Sequence, residues 1–183
     1  MTERLPEVLI LPGYQDSGPE HWQSLWEQKH GLTRVVQRDW ENPERDEWVA
    51  ALDRAIAATP GPPVLVAHSL GCLAVVHWAG RHRAPVHGAL LVAPPDVERP
   101  DFLPAARSFG PIPLVPLPFP SVVVASFDDP FADLSRARHF ARAWGSELVE
   151  VGAAGHINTA AGFGPWPEGE RLLDQLRRQP RHA

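Results

Sequence analysis

Short apolar runs alternate with longer stretches whose apolar residues recur at helical spacing. Val8–Leu11 reads as a strand, stopped by Pro12-Gly13. Val64–Ala67 is apolar at every position, the pattern of a strand buried on both faces. His87–Val92 and Ser121–Ser126 read as further strands, and Arg34–Gln37 and Glu147–Val151 as weaker ones. Ser17-Gly-Pro-Glu20 has the spacing of a capping box, in which the serine hydroxyl bonds the backbone N–H of the third helical residue. It predicts a helix over about 18–30 with Trp22, Leu25 and Trp26 on one face and Gly31 at its end. Trp48, Leu52, Ala55 and Ile56 predict a helix over 44–58, and Leu73, Ala74, His77 and Trp78 one over 70–81. Further helices are expected over 134–144, capped by Asp133, and over 168–178. Six strands with helices between most of them argue for a parallel α/β sheet.

Residues 96–120 follow neither period and are rich in proline. A segment this long inside a compact domain is rarely mere connection. It is read as a lid-like insertion within a single domain spanning 1–183, since no repeat or interdomain linker interrupts the chain.

Composition narrows the function classes. The chain has 183 residues, is 44% hydrophobic and 21% charged, enough apolar material for one core, and carries a formal net charge of −5. No basic stripe suggests nucleic acid, and no Lys/Arg cluster suggests an anionic membrane. Cys72 is the only cysteine, so no intrachain disulfide forms and a reducing, cytoplasmic setting is expected. The run Val8–Leu11 is far too short for a signal peptide or a membrane span. No H-E-x-x-H pair, zinc cage, G-x-G-x-x-G or P-loop is present, so neither metal nor cofactor is expected.

The chemistry gathers at strand ends. In Val66-Ala-His-Ser-Leu-Gly71 an apolar strand runs into a serine and a helical pattern begins at once, close to the nucleophile elbow of α/β-hydrolases. Ala67 replaces the usual first glycine, a mild departure because alanine is small. Ser69 is the candidate nucleophile, and it needs a base to take its proton. His156, in the glycine-rich loop after the last strand, is the candidate base. Asp129, just before Pro130, is the candidate orienting acid, with Asp128 as its competitor. The order Ser…Asp…His is that of the α/β-hydrolases. The oxyanion hole is expected from the backbone N–H of Leu70 and of Tyr14, with Gln15 in reserve. His68 reads as a packing or hydrogen-bonding residue of the elbow. His21 reads equally as structural or as lining the cleft, and Cys72 as a small core residue.

Three segments jointly resemble one family: Leu11-Pro-Gly-Tyr-Gln-Asp-Ser-Gly-Pro-Glu-His-Trp22, Val66–Gly71, and Ser126-Phe-Asp-Asp-Pro-Phe131 with Gly155-His-Ile-Asn158. The chain is similar to the small single-domain serine hydrolases of the α/β-hydrolase superfamily that include retinoblastoma-binding protein 9. That resemblance implies a trimmed six-stranded parallel sheet of order 2-1-3-4-5-6 with helices on both faces, and Ser69, Asp129 and His156 as the triad. It implies no substrate. The expected reaction is hydrolysis of a small carboxylic ester through an acyl-enzyme. The alternatives are an amidase or peptidase with the same triad, or a binding protein without the chemistry; protein partners are not indicated.

Overall fold

The computed structural model describes residues 5–180. Six strands, β1 (Val8–Leu11), β2 (Thr33–Arg34), β3 (Val64–His68), β4 (Gly88–Val92), β5 (Ser121–Ala125) and β6 (Glu147–Glu150), form one sheet of order β2-β1-β3-β4-β5-β6. Every neighbouring pair is parallel, and the order is the one the resemblance implied. All residues of β1, β3, β4 and β5 are buried, which explains runs without polar alternation.

The helices are α1 (Trp22–His30), α2 (Arg45–Ala57), α3 (Leu70–Arg81), α4 (Leu134–Trp144) and α5 (Pro167–Arg178). Alternate strand side chains serve two cores. Val8, Ile10, Val64, Val66, Leu90 and Val92 pack against Trp22 and Trp26 of α1 and Leu173 and Leu176 of α5. Leu9, Leu11, Leu65, Ala89 and Leu91 pack against α2, α3 and α4 through Trp48, Trp78, Phe140 and Trp144. No helix of the described residues is long and apolar enough to cross a membrane.

Three local expectations are corrected. Helix α1 starts at Trp22, not near residue 18, with His21 at its N-cap. Ser17 does not close a capping box: its hydroxyl donates to Gln23 Oε1 (2.7 Å), and its carbonyl accepts from the Ser24 hydroxyl (2.9 Å). Strand β2 ends at Arg34, because after the Val35 N–H reaches the Ile10 carbonyl (2.9 Å) the chain leaves the sheet edge with Val36 in solvent. Asp133 does sit at the N-cap of α4, but only its backbone carbonyl is used, accepting from the N–H groups of Arg136 and Ala137.

The 96–120 segment contains one 3₁₀ turn, Pro104–Phe109, and is firmly packed. Phe109, Ala106, Ile112 and Phe119 are buried. The His77 ring donates from Nε2 to the Phe109 carbonyl (2.7 Å), and the Trp144 indole N–H to the Pro113 carbonyl (2.7 Å).

Candidate active site

The site is built where β1, β3, β5 and β6 end, at the carboxyl edge beside the switch in strand order. β3 hands over to α3 in a single residue. Ser69 has φ 54° and ψ −125°, a conformation that costs about 1–3 kcal/mol in a non-glycine residue and lifts its hydroxyl clear of the strand. Two glycines make room for that turn. A Cβ on Gly71 would lie 2.4 Å from the Leu11 carbonyl oxygen and 2.7 Å from that of Pro12, and one on Gly13 would lie 2.9 Å from Ser69 Cβ. The β1 loop and the elbow are therefore in backbone contact.

The structure brings Ser69, His156 and Asp129 together. Ser69 Oγ lies 2.8 Å from His156 Nε2, and both Asp129 oxygens lie 3.0 Å from His156 Nδ1. A carboxylate only accepts, so Nδ1 carries the proton and Nε2 is left to accept from the serine hydroxyl. Asp129 is held in turn by the Phe131 N–H (2.9 Å to Oδ1). Asp128 faces elsewhere: its Oδ1 accepts from the Ser126 hydroxyl (2.6 Å) and the Gly155 N–H (2.8 Å), and these bonds hold its carboxyl below the usual range. It ties the loop after β5 to the loop that carries His156.

His156 is fixed by groups the sequence did not single out for that purpose. His68 Nε2 donates to the His156 carbonyl (2.8 Å), and the Trp22 indole N–H donates to the next carbonyl, Ile157 (2.9 Å). Phe131 meets the His156 ring edge-on at 4.5 Å between centroids. Adjacency to Ser69 was the only sequence signal for His68, and the Asp-Asp-Pro-Phe turn the only one for Phe131. Burial, then the neighbouring His156 and His21, drive the His68 pKa well below the ordinary imidazole value, so it stays a neutral donor.

Ser69 opens on a cleft of about 230 Å³. Phe102, Leu103 and Ala106 from the 96–120 segment, with Phe131, form an apolar wall; Tyr14, Asp16, His21 and Asn158 line the remainder. Among the described residues, no lysine or arginine lines it. The N–H groups of Tyr14 and Leu70 have no backbone acceptor among the described residues, whereas that of Gln15 is spent on the Trp40 carbonyl (3.1 Å). Of the two β1-loop candidates for the oxyanion hole, Tyr14 keeps a free donor. Among the described residues, no group of three His, Cys, Asp or Glu side chains is arranged to hold a metal ion.

This arrangement, a strained serine with an imidazole and a buried carboxylate in line, is suited to nucleophilic attack on a carbonyl. Comparison with known proteins agrees in class. A presumed YdeN-like hydrolase of Pectobacterium atrosepticum is 38% identical and superposes with a TM-score of 0.85, covering 94% of this chain and 91% of that one. YdeN of Bacillus subtilis, also a presumed hydrolase, is 28% identical over 174 residues, 88% of this chain and 90% of its own length. Est1E of Butyrivibrio proteoclasticus, solved with ferulic acid, shares the fold at 16% identity, with a TM-score of 0.68 over 94% of this chain and 90% of that one. The six-stranded sheet is thus that of the α/β-hydrolases, and the family of serine hydrolases matches residues 8–175. The chain belongs to the serine hydrolase family and is a hydrolytic enzyme.

Proposed function

We propose that this enzyme cleaves small carboxylic esters through Ser69, His156 and Asp129. Ser69 Oγ attacks the ester carbonyl carbon as its proton passes to His156 Nε2. Asp129 holds the imidazole in the tautomer that accepts there and stabilises the imidazolium. The carbonyl oxygen, now negative, lies between the N–H groups of Leu70 and Tyr14, each such donor contributing about 3 kcal/mol to the barrier reduction. The C–O bond then breaks, His156 returns the proton to the departing alkoxide, and an acyl-Ser69 remains. Water, deprotonated by His156, attacks that acyl group, releases the acid and restores the serine.

The observation that carries this reading is the unbroken hydrogen-bond chain from Ser69 through His156 to Asp129. The cleft of about 230 Å³ suits a short or single-ring acyl group against the apolar wall to which the 96–120 segment contributes Phe102, Leu103 and Ala106. A cytoplasmic setting goes with this reading, supported by the single reduced Cys72.

The test is labelling with a fluorophosphonate probe, which reacts only with an activated serine. Wild type should take up one label per chain, and Ser69→Ala none. A folded wild type that stays unlabelled would overturn the proposal. Matched ester and amide substrates with a common acyl group then report which leaving group the site favours.

A further inference from the structure

The turn that presents Asp129 gains little from burial, since Pro130 and Phe131 are both exposed. Its shape is local, set by the Phe131 N–H on Asp129 Oδ1 (2.9 Å). Its seat comes from elsewhere. Pro130 has no N–H, so its carbonyl is the only backbone group it can offer. That carbonyl accepts from Arg99 Nη1 (2.9 Å), and the next one, of Phe131, accepts from the Asp96 N–H (2.9 Å). The backbone polar groups of residues 130 and 131 are thus all engaged, one with Asp129 itself and two with the start of the 96–120 segment.

Asp101 orients Arg99. The Arg99 Nε and Nη2 donate to the two Asp101 oxygens (3.0 and 2.7 Å), a fork that leaves Nη1 directed at Pro130. The Asp101 side chain is 68% exposed, and an ion pair so open to water stabilises a fold by little. The fork does fix the direction of the remaining N–H, which a lysine could not do. The segment that carries Arg99 is itself secured: Glu98 Oε1 accepts the Ile112 N–H (3.1 Å), and the Asp96 and Glu98 carboxylates pair with Arg136 of α4. Phe102, whose N–H bonds the Arg99 carbonyl (3.1 Å), meets the Phe131 ring edge-on at 6.1 Å between centroids.

We propose that Arg99 is a positioning residue of the reaction: oriented by Asp101, it holds the Pro130 carbonyl and thereby sets the Asp129 carboxylate against His156 Nδ1. This role rests on the reading of Ser69, His156 and Asp129 as the triad. Arg99 does not line the cleft, so its effect on rate runs through the backbone beside Asp129. Both carboxylate oxygens lie 3.0 Å from Nδ1, a pair of contacts that a small shift of the turn would lengthen.

Arg99→Met keeps the aliphatic stem and removes the donors. With active sites counted by fluorophosphonate labelling carried to completion, its kcat on p-nitrophenyl esters should fall about tenfold, the worth of about one hydrogen bond. KM should stay within about twofold of wild type. The loss should be equal for acetate, butyrate and hexanoate esters, because no contact with the acyl group is removed. Arg99→Lys keeps a cationic donor without the fork and should recover part of the rate. Asp101→Asn leaves Arg99 in place but weakens its orientation. It should lose about threefold in kcat, half the tenfold effect in free energy, and it carries the same test if Arg99→Met is unstable.

The decisive measurement adds Arg99→Met to Asp129→Asn. With the carboxylate gone, Arg99 has nothing left to place, and the second change should cost less than about twofold in kcat. A further loss of about tenfold in that background would mean that Arg99 acts on the fold at large, and would overturn the proposal. So would a kcat of Arg99→Met within about twofold of wild type. A loss that resides in KM and varies with acyl length would overturn it too, leaving Arg99 as a support of the apolar wall. Wild type that neither hydrolyses esters nor takes up the probe fails the triad reading, and this role with it. An active wild type matched by Arg99→Met fails the Arg99 proposal alone.

Discussion

The cleft has two sides that are held in different ways. On one side the loops after β3 and β5 carry Ser69 and Asp129 on short turns, a strained elbow and an Asp-Pro turn, while the glycine-rich loop after β6 carries His156 and is tied down by His68, Trp22 and Asp128. On the other side the β1 loop and the start of α1 carry Tyr14 and His21, and these are positioned by bonds to distant residues. Gln23 alone donates to the carbonyls of Leu11 (3.1 Å) and Val66 (3.1 Å) while accepting from Ser17. Arg34 bridges Asp16, Glu27, Ser24 and the Ser17 carbonyl. The lesson is that Ser69 and Asp129 sit on locally determined turns, and His156 and the facing surface are held by the tertiary network.

The largest expected effect lies on the locally built side. Asp129→Asn should reduce kcat by about 10⁴-fold, because the amide favours the wrong imidazole tautomer while leaving the fold intact. Asp128→Asn should cost far less, since Asp128 bonds Ser126 and Gly155 and never His156. Steady-state rates on one p-nitrophenyl ester compare them directly, and equal losses would refute the division of labour between the two carboxylates.

The two sides meet at Gly71. In Gly71→Ala the new methyl would press on the carbonyls of Leu11 and Pro12, backbone that has no flexible end to yield. Overpacking of this kind costs about 1–3 kcal/mol. A displacement of the elbow by about 1 Å is worth about 100-fold in rate. Urea unfolding and kcat on the same variant should therefore both fall; retention of full activity would mean that the elbow tolerates a looser contact with the β1 loop.

Acid should weaken the tertiary-held side. His21 and His68 are both neutral in the native state, their pKa values pushed down by burial, His21 to about 4 from an ordinary 6.5. Between those values the unfolded chain binds the proton that the native state refuses, so stability rises with pH and is lost as pH falls from about 6.5. The contribution of His21 is about 3 kcal/mol, fully lost below pH of about 4; His68 acts in the same direction. Denaturant midpoints across this range should slope accordingly and flatten in His21→Phe. A flat wild-type profile would mean that the ring is hydrated in the native state.

The same division decides how much was legible in the sequence. β3, α3 and the candidate nucleophile could be read because a buried run, a serine and a nearby glycine admit few conformations, and α3 spans the residues its periodicity indicates, 70–81. The place before Pro130 favours Asp129 over Asp128, but both are turn formers, and only the path of the chain buries one of them against His156. The start of α1 was misread for a related reason. Ser17 and Glu20 have capping-box spacing, but spacing cannot reveal that the Ser17 hydroxyl is already engaged by a glutamine side chain fastened to two strands.

That misreading yields the smallest of the expected effects and the sharpest comparison of local with tertiary control. Were Ser17 the cap of α1, Ser17→Ala would cost about 1 kcal/mol and Gln23, a mid-helix residue, could be replaced by leucine at almost no cost. With the bonds as they stand, the order reverses. Ser17→Ala removes one donor from Gln23 Oε1, a loss of about 1 kcal/mol or less. Gln23→Leu removes the donor shared by two strand carbonyls and strands the Ser17 hydroxyl, about 2 kcal/mol in all. Neither change touches Ser69, so fluorophosphonate labelling of both variants should stay stoichiometric while their urea midpoints separate. If Ser17→Ala proved the more damaging of the two, the start of α1 would be set by its own residues after all, and the contrast between the two sides of the cleft would lose its basis.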